Sequence, residues 1–380
     1  MNFNFSDEQQ LLADTVRRFA REHYSFETRH GILQSGAGWS RGVWNELAGL
    51  GLTALNVPEA HGGLNAGAVD TMLVMNALGD ALVVEPYLGA AVLTPALLTR
   101  LGDETAAADL FPAIASGERI VILAHQEPQT RGELNHVATR AERAGEGYVL
   151  DGHKSVIAHG GIADELLVTA RTSGRTTDSE GISVFRLDPG TPGVTLRSYR
   201  TLDGQNAADI ELRQVRLPAT SRVGAEGRAF DAVEIAHEFA ISAICGEAVG
   251  IMQAVNAATL EYSRSRKQFG HPIAHFQVLQ HRMVDMFLQC EQATSMSYLA
   301  AIRCADQDSA ERQRAVSAAK VVIGQASRFI GQQAIQLHGG MGMTDELMVS
   351  HHFKRLTAID LTFGDTDFHL QRFMSVSRAA

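Results

Sequence analysis

Cysteine, tryptophan and clustered positive charge are all scarce in this chain of 380 residues. The three cysteines, Cys245, Cys290 and Cys304, are an odd and widely spaced set with no CxxC pair for a metal or redox site, so buried, inert thiols are expected. No basic run offsets the formal charge of −10, which argues against nucleic acid or an anionic membrane surface as the main partner. The opening MNFNFSDEQQLLADTV lacks the basic start and apolar run of a signal peptide, and no apolar stretch is expected to reach membrane-spanning length. A soluble, cytoplasmic protein is the expectation. No GxGxxG follows a strand pattern, which removes a Rossmann-type nicotinamide site.

What is present changes period along the chain. From Ser6 to about residue 117 apolar residues recur at three and four spacing, as in QQLLADTVRRFAREH and DTMLVMNALGDALVV, which predicts helices. Between residues 118 and 227 the segments YVLDG, DELLVTART, GISVFRL, GVTLRSY and AADIELRQVRL alternate or run β-branched between Gly, Asp and Pro, which predicts a compact β domain. From residue 228 a helical pattern of more than thirty residues without proline returns, followed by helices at 276–305, 309–337, 345–359 and a short one at 366–378. The expected domains are 1–117 helical, 118–227 β barrel or sandwich, and 228–380 a four-helix bundle, a mainly α, α+β architecture.

Two segments in the last domain, YSRSRKQFGHPIAHFQVLQHRMVDM and QQAIQLHGGMGMTDELMVSHHFKR, together with the helical–β–helical order, resemble the acyl-CoA dehydrogenase family. VPEAHGG, with Pro58, Gly62 and Gly63, and GHKSVIAHG match weaker landmarks of that family, and the resemblance spans essentially the whole chain. It implies a flavoprotein that desaturates an acyl-CoA thioester between Cα and Cβ, with FAD as cofactor and an electron-transfer flavoprotein as electron acceptor. Arg266 resembles the family arginine that holds the FAD pyrophosphate, a task suited to a fixed cation with several donors. Gln268, Phe269 and Gln277 fall at family positions beside it. In QLHGGMG, Gln336, Gly339 and Gly340 match the pattern at which bare backbone approaches the adenosine side of FAD. A helix C-cap followed by a loop is the alternative for those glycines.

Two parts of the family pattern are altered. The β-domain loop that lies against the flavin ring, usually rich in Thr, Glu, Gly, Ser and Asp, reads AHQEPQTRGELNHVAT, with only Glu127 and Pro128 in register and Thr130 and Arg131 where small residues are expected. The tryptophan-containing turn that shields the flavin is replaced by SVIAHGG. The family's flavin-facing wall and its ADP-binding set come from different subunits, so a chain keeping only the second is expected to complete a FAD site for a larger partner in a heterotetramer. The closest likeness within the family is the small subunit of pimeloyl-CoA dehydrogenase and related heteromeric enzymes of dicarboxyl- and steroid-derived acyl-CoAs, resting on LTFGDTDFHL and the altered loop.

The catalytic base is the open point. The family base is a glutamate just before a Gly-Thr pair, and that position here falls on Phe363 or Gly364, with Asp365 displaced. Asp365 reads either as a shifted base or, with Asp367, as an acidic cap on the last helix. Other family members carry the base on the long helix, where this chain has Ala240. Glu247, two turns on among the small residues of CGEAVG, reads either as a base of raised pKa or as a glutamate bonded to a neighbouring helix. His338, His351, His352 and His369 lack metal-ligand spacing and are expected to be solvated or to lie near the cofactor. A self-sufficient homotetramer and a non-catalytic scaffolding subunit are the two other readings.

Overall fold

The computed structural model describes residues 5–379. In chain order come α1 (Asp7–His23), α2 (Phe26–Gln34), α3 (Arg41–Gly49), α4 (Ala68–Asp80), α5 (Thr94–Leu101) and α6 (Glu104–Ala115). Eight strands follow: β1 (Val121–Ala124), β2 (Arg140–Ala144), β3 (Gly147–Ala158), β4 (Glu165–Arg171), β5 (Ile182–Leu187), β6 (Val194–Arg200), β7 (Asn206–Pro218) and β8 (Arg222–Val223). The remaining elements are α7 (Phe230–Ser265), a small hairpin of β9 (Lys267–Gln268) and β10 (His271–Pro272), and then α8 (Gln277–Arg303), α9 (Ser309–His338), α10 (Met348–Leu361) and α11 (Thr366–Ala379).

Contacts divide the chain into two compact units. One comprises residues 1–31, 67–83 and 241–380, the other residues 32–66 and 84–240. The N-terminal helices are shared between them. In the helical unit, α1 begins with a capping box in which the Ser6 hydroxyl accepts from the Gln9 N–H at 3.2 Å and the Gln9 carboxamide accepts from the Ser6 N–H at 3.1 Å. It buries Ala13, Val16, Phe19 and Ala20, the apolar stripe set by the helical period.

The 36 residues of α7 give a helix about 54 Å long. Its crossing with α4 is made of glycine: a Cβ on Gly250 would lie 2.0 Å from the Asn76 carbonyl oxygen, and one on Gly79 2.3 Å from that of Glu247. The small residues flanking Glu247 therefore let two backbones approach. An 18-residue window of α7 is long and apolar enough to cross a membrane, contrary to the expectation of no such stretch, and 89% of it is buried. A core helix enclosed by other helices reaches the same composition because it has little polar face.

The other unit holds a single eight-stranded sheet in the order β6-β7-β3-β2-β4-β5-β8, with β1 added parallel to β4. Its longest pairing, β3 with β7, is antiparallel and shifts register between Leu150 and Gly152 and again between Lys154 and Ile157. The second irregularity leaves Val156 at φ 53°, a left-handed conformation that a β-branched residue rarely adopts, and turns Lys154 fully into the interior.

Candidate functional site

The helical unit gathers one set of expected residues at a single end. The Tyr262 ring near the end of α7 stacks on His338 with centroids 4.4 Å apart, and its hydroxyl donates to the His338 carbonyl at 3.3 Å. This contact ties Arg266, one turn on, to the turn that starts at Gly339 and Gly340. Arg282 of α8 donates to Gln333 of α9 at 3.4 Å, which places Gln277 at the same end as Gln336. Arg266 has no side-chain ion pair or hydrogen bond among the described residues, and Phe269, at φ 51°, is 88% exposed. Gly339 adopts φ 60° with open space where a Cβ would stand. A cation with unspent donors, several carboxamides and bare backbone is a surface suited to an anionic dinucleotide.

Asp365 lies elsewhere. The Gly364 carbonyl beside it accepts from Lys320, nineteen residues before Gly339 on α9, so the two places are roughly 28 Å apart along that helix. The Asp365 carboxylate is exposed and accepts from the Phe368 N–H at 2.8 Å, the geometry of an N-cap on α11. Phe363 and Gly364, at φ 61° and 98°, carry the chain through the tight turn before it, where a Cβ on Gly364 would meet the Phe368 ring at 2.4 Å. Lys320, buried, donates to the carbonyls of Ile359 (2.8 Å), Asp360 (2.9 Å) and Gly364 (3.0 Å), and burial pushes its pKa down to about 8. His369 donates from Nε2 to the Phe363 carbonyl at 3.0 Å. A groove of about 420 Å³ beside this turn is lined by Gln325, Arg328, Phe329, Asp360 and Asp365 among others, with Arg328 donating to Asp360 at 3.0 Å.

Glu247 is not an isolated acid. Arg355 of α10 meets it side-on, Nε to Oε1 at 2.5 Å and Nη2 to Oε2 at 2.9 Å, with the two side chains 10% and 8% exposed. Both carboxylate oxygens are engaged in a buried, bidentate pair that joins α7 to α10. The small neighbours that suggested a base are accounted for by the approach of α4.

In the sheet unit, the segment after β1 turns its polar groups on itself. The Glu127 carboxylate accepts from the N–H groups of Ala138 (2.7 Å) and Thr139 (3.0 Å) and from Lys154 Nζ (2.7 Å). The Thr130 hydroxyl accepts from the Glu127 N–H at 2.9 Å. Burial works against the Glu127 charge, but Lys154 and these donors hold its pKa below the usual carboxylate range. Lys154 also donates to the Thr169 hydroxyl at 3.1 Å, which leaves that hydroxyl's own proton for His125 Nδ1 at 3.0 Å. Arg131 sits in the left-handed region at φ 46°.

His338, His351, His352 and His369 are all buried rather than solvated: His338 and His351 bond to backbone carbonyls of Ala334 and Asp345, and His352 and His369 are packed in the interior. Buried Cys245 and Cys290 have their thiol pKa pushed up, by burial, to about 12 and about 11. Among the described residues no three His, Cys, Asp or Glu converge as metal ligands.

Three domain models of one family match this chain in order: "Acyl-CoA dehydrogenase, N-terminal domain" over residues 6–118, "middle domain" over 123–215 and "C-terminal domain" over 239–376. The chain belongs to the acyl-CoA dehydrogenase family. It is 29% identical over 372 residues to the probable acyl-CoA dehydrogenase YngJ of Bacillus subtilis (strain 168), covering 97% of each. It superposes on the FAD complex of PigA with a TM-score of 0.91 and 25% identity, and on the ChsE4-ChsE5 complex from Mycobacterium tuberculosis with 0.90 and 25%, each over 100% of both chains. The protein is accordingly an acyl-CoA dehydrogenase with FAD as its cofactor.

Within this family member, sequence reasoning missed Lys154, Lys320, Arg355 and Tyr262, which hold the candidate segments in place. A signal existed for the lysines. Lys320 interrupts the apolar pattern of AAKVVIG at an inward position, and a charge there is kept only with full hydrogen bonding.

Proposed function

We propose that this acyl-CoA dehydrogenase is the smaller subunit of a heteromeric enzyme, completing a FAD site whose flavin-facing wall and catalytic base lie on a larger partner. The observation that carries this reading is the self-contained 124–139 segment. The Glu127 carboxylate and the N–H groups of Glu127, Ala138 and Thr139 are spent within the segment and on Lys154, so these groups are not offered to a flavin ring.

The acids support the same conclusion. A base must present a carboxylate oxygen to the substrate Cα proton at hydrogen-bond distance. Asp365 is occupied as a helix cap and Glu247 by Arg355, and the family's glutamate position falls on Phe363 or Gly364. Asp365 and Glu247 are therefore assigned structural roles, and the proton is taken by an acid of the partner.

What this chain supplies is the dinucleotide side. Arg266 would neutralise the pyrophosphate, Gln268, Phe269 and Gln277 would contact the dinucleotide beside it, and Gln336, Gly339 and Gly340 would let backbone N–H groups approach the adenosine side. FAD, when bound, supplies the hydride acceptor for the substrate Cβ. An electron-transfer flavoprotein would be the electron acceptor that the family resemblance implies. That one similar structure is a complex of two differently named chains favours a heteromer, and the LTFGDTDFHL likeness favours a dicarboxyl- or ring-derived acyl-CoA.

The test is a titration of the isolated chain with ADP, FAD and FMN. A dinucleotide half-site binds ADP and FAD with similar affinity, ignores FMN, and loses both ligands in Arg266→Ala. FAD binding a hundredfold tighter than ADP would contradict it.

A further inference from the structure

The hairpin between α7 and α8 differs from the rest of the chain in charge. From Tyr262 to Val284 the sequence carries Arg264, Arg266, Lys267 and Arg282, with His271, His275 and His281 and no acid, in a protein whose formal charge is −10. A basic island on an acidic chain is a place for an anion.

The backbone brings two of these histidines to Arg266. The Ile273 N–H donates to the Arg266 carbonyl at 2.8 Å, and His271 pairs with Gln268 across β9 and β10. The His271 and His275 rings then stack, with centroids 5.0 Å apart and planes 25° from parallel. Both residues are exposed, and among the described residues neither ring is paired with a carboxylate.

Stacking suits two neutral rings, whereas two protonated rings at this spacing repel one another. An anion held beside the pair offsets that repulsion, so protons and anion each favour the binding of the other by the same factor. The other charged and titratable groups on the elements that meet here are Glu261 and Arg264 of α7, Arg266 and Lys267 leading into the hairpin, His281, Arg282 and Asp285 of α8, and His338 at the end of α9. Burial holds His338 below the usual imidazole range, and imidazole is the side chain suited to change charge between about pH 5 and 8.

We propose that His271 and His275 belong to the dinucleotide site and make it proton-linked: the pair takes up protons as the FAD pyrophosphate binds, so the chain holds FAD more tightly as pH falls from 8 to 6. This rests on the half-site reading and adds to it the groups that regulate the site.

Calorimetric titration of the isolated chain with FAD at pH 6 and pH 8, each in two buffers of different ionisation enthalpy, tests it. The FAD pyrophosphate is a diester and keeps both charges over this range. Wild type is expected to bind roughly tenfold more tightly at pH 6 and to take up about one proton per FAD. His271→Gln with His275→Gln is expected to give a flat profile without proton uptake, and His271→Lys, a permanent cation, to bind at pH 8 about as tightly as wild type does at pH 6. Equal affinities at the two pH values in wild type, or a pH dependence that survives in the double glutamine variant, overturns the proposal. The half-site reading fails on a different result: Arg266→Ala then binds FAD as wild type does, whereas a flat wild-type profile with FAD lost in Arg266→Ala removes the proton linkage alone.

Discussion

Replacing Glu247 by glutamine separates the two roles open to that residue. The pair with Arg355 is bidentate, with contacts of 2.5 and 2.9 Å, and both side chains are at most a tenth exposed. Removing the charge of one partner breaks a buried, bidentate ion pair, a change that costs about 3–5 kcal/mol. In a chain of this size that lowers the melting temperature by roughly 5–15 °C. Arg355→Met is expected to cost a similar amount, and the double variant Glu247→Gln with Arg355→Met less than the two together, because the two side chains are coupled through one pair. Differential scanning of the four proteins reads all three quantities. The reasoning is refuted if Glu247→Gln melts within about 1 °C of wild type. A stable Glu247→Gln that has also lost acyl-CoA oxidation would return Glu247 to the role of base.

Asp365→Ala is expected to cost about 1 kcal/mol through loss of the α11 N-cap while Asp365→Asn costs little, with turnover of the assembled enzyme unchanged in both; a dead Asp365→Asn would reinstate the acid as a base. Gly250→Ala pushes a methyl into the Asn76 carbonyl and is expected to destabilise by about 3 kcal/mol, whereas Gly31→Ala, in α2 with open space around it, leaves the melting temperature unchanged or raises it. Burial depresses His352 to about 4 and, with help from the Lys320 charge, His369 to about 3, both from 6.5. The unfolded chain therefore binds more protons than the folded one below pH 6.5, and stability, full above that pH, falls as pH drops toward 4, by on the order of 3 kcal/mol for each histidine. Melting curves from pH 8 to pH 4 check this, and a flat profile would contradict it.

Most of the fold was legible because periodicity follows directly from which face is buried. YVLDG, DELLVTART, GISVFRL, GVTLRSY and AADIELRQVRL each lie on one of β3 to β7, and the five helices expected after residue 228 fall within a few residues of α7 to α11. The allocation of α1 and α4 to the helical unit was not legible, since it depends on glycines of α4 and α7 meeting far apart in sequence. The same non-local cause hid the partner of Glu247. CGEAVG announced a carboxylate among small residues, but Arg355 lies more than a hundred positions away, and only packing brings them together. The dinucleotide set was legible because its two motifs are short and contiguous, although the Tyr262–His338 stack that joins them could not be read from either alone.

On the proposed function, this chain holds half of a FAD site. The most direct measurement is the ratio of FAD to polypeptide in the chain purified alone, followed by anaerobic addition of acyl-CoA and observation of the flavin absorbance. Well under one FAD per chain and no substrate-dependent bleaching are expected. One tightly bound FAD per chain that bleaches with acyl-CoA would contradict it and mark the protein as a complete dehydrogenase.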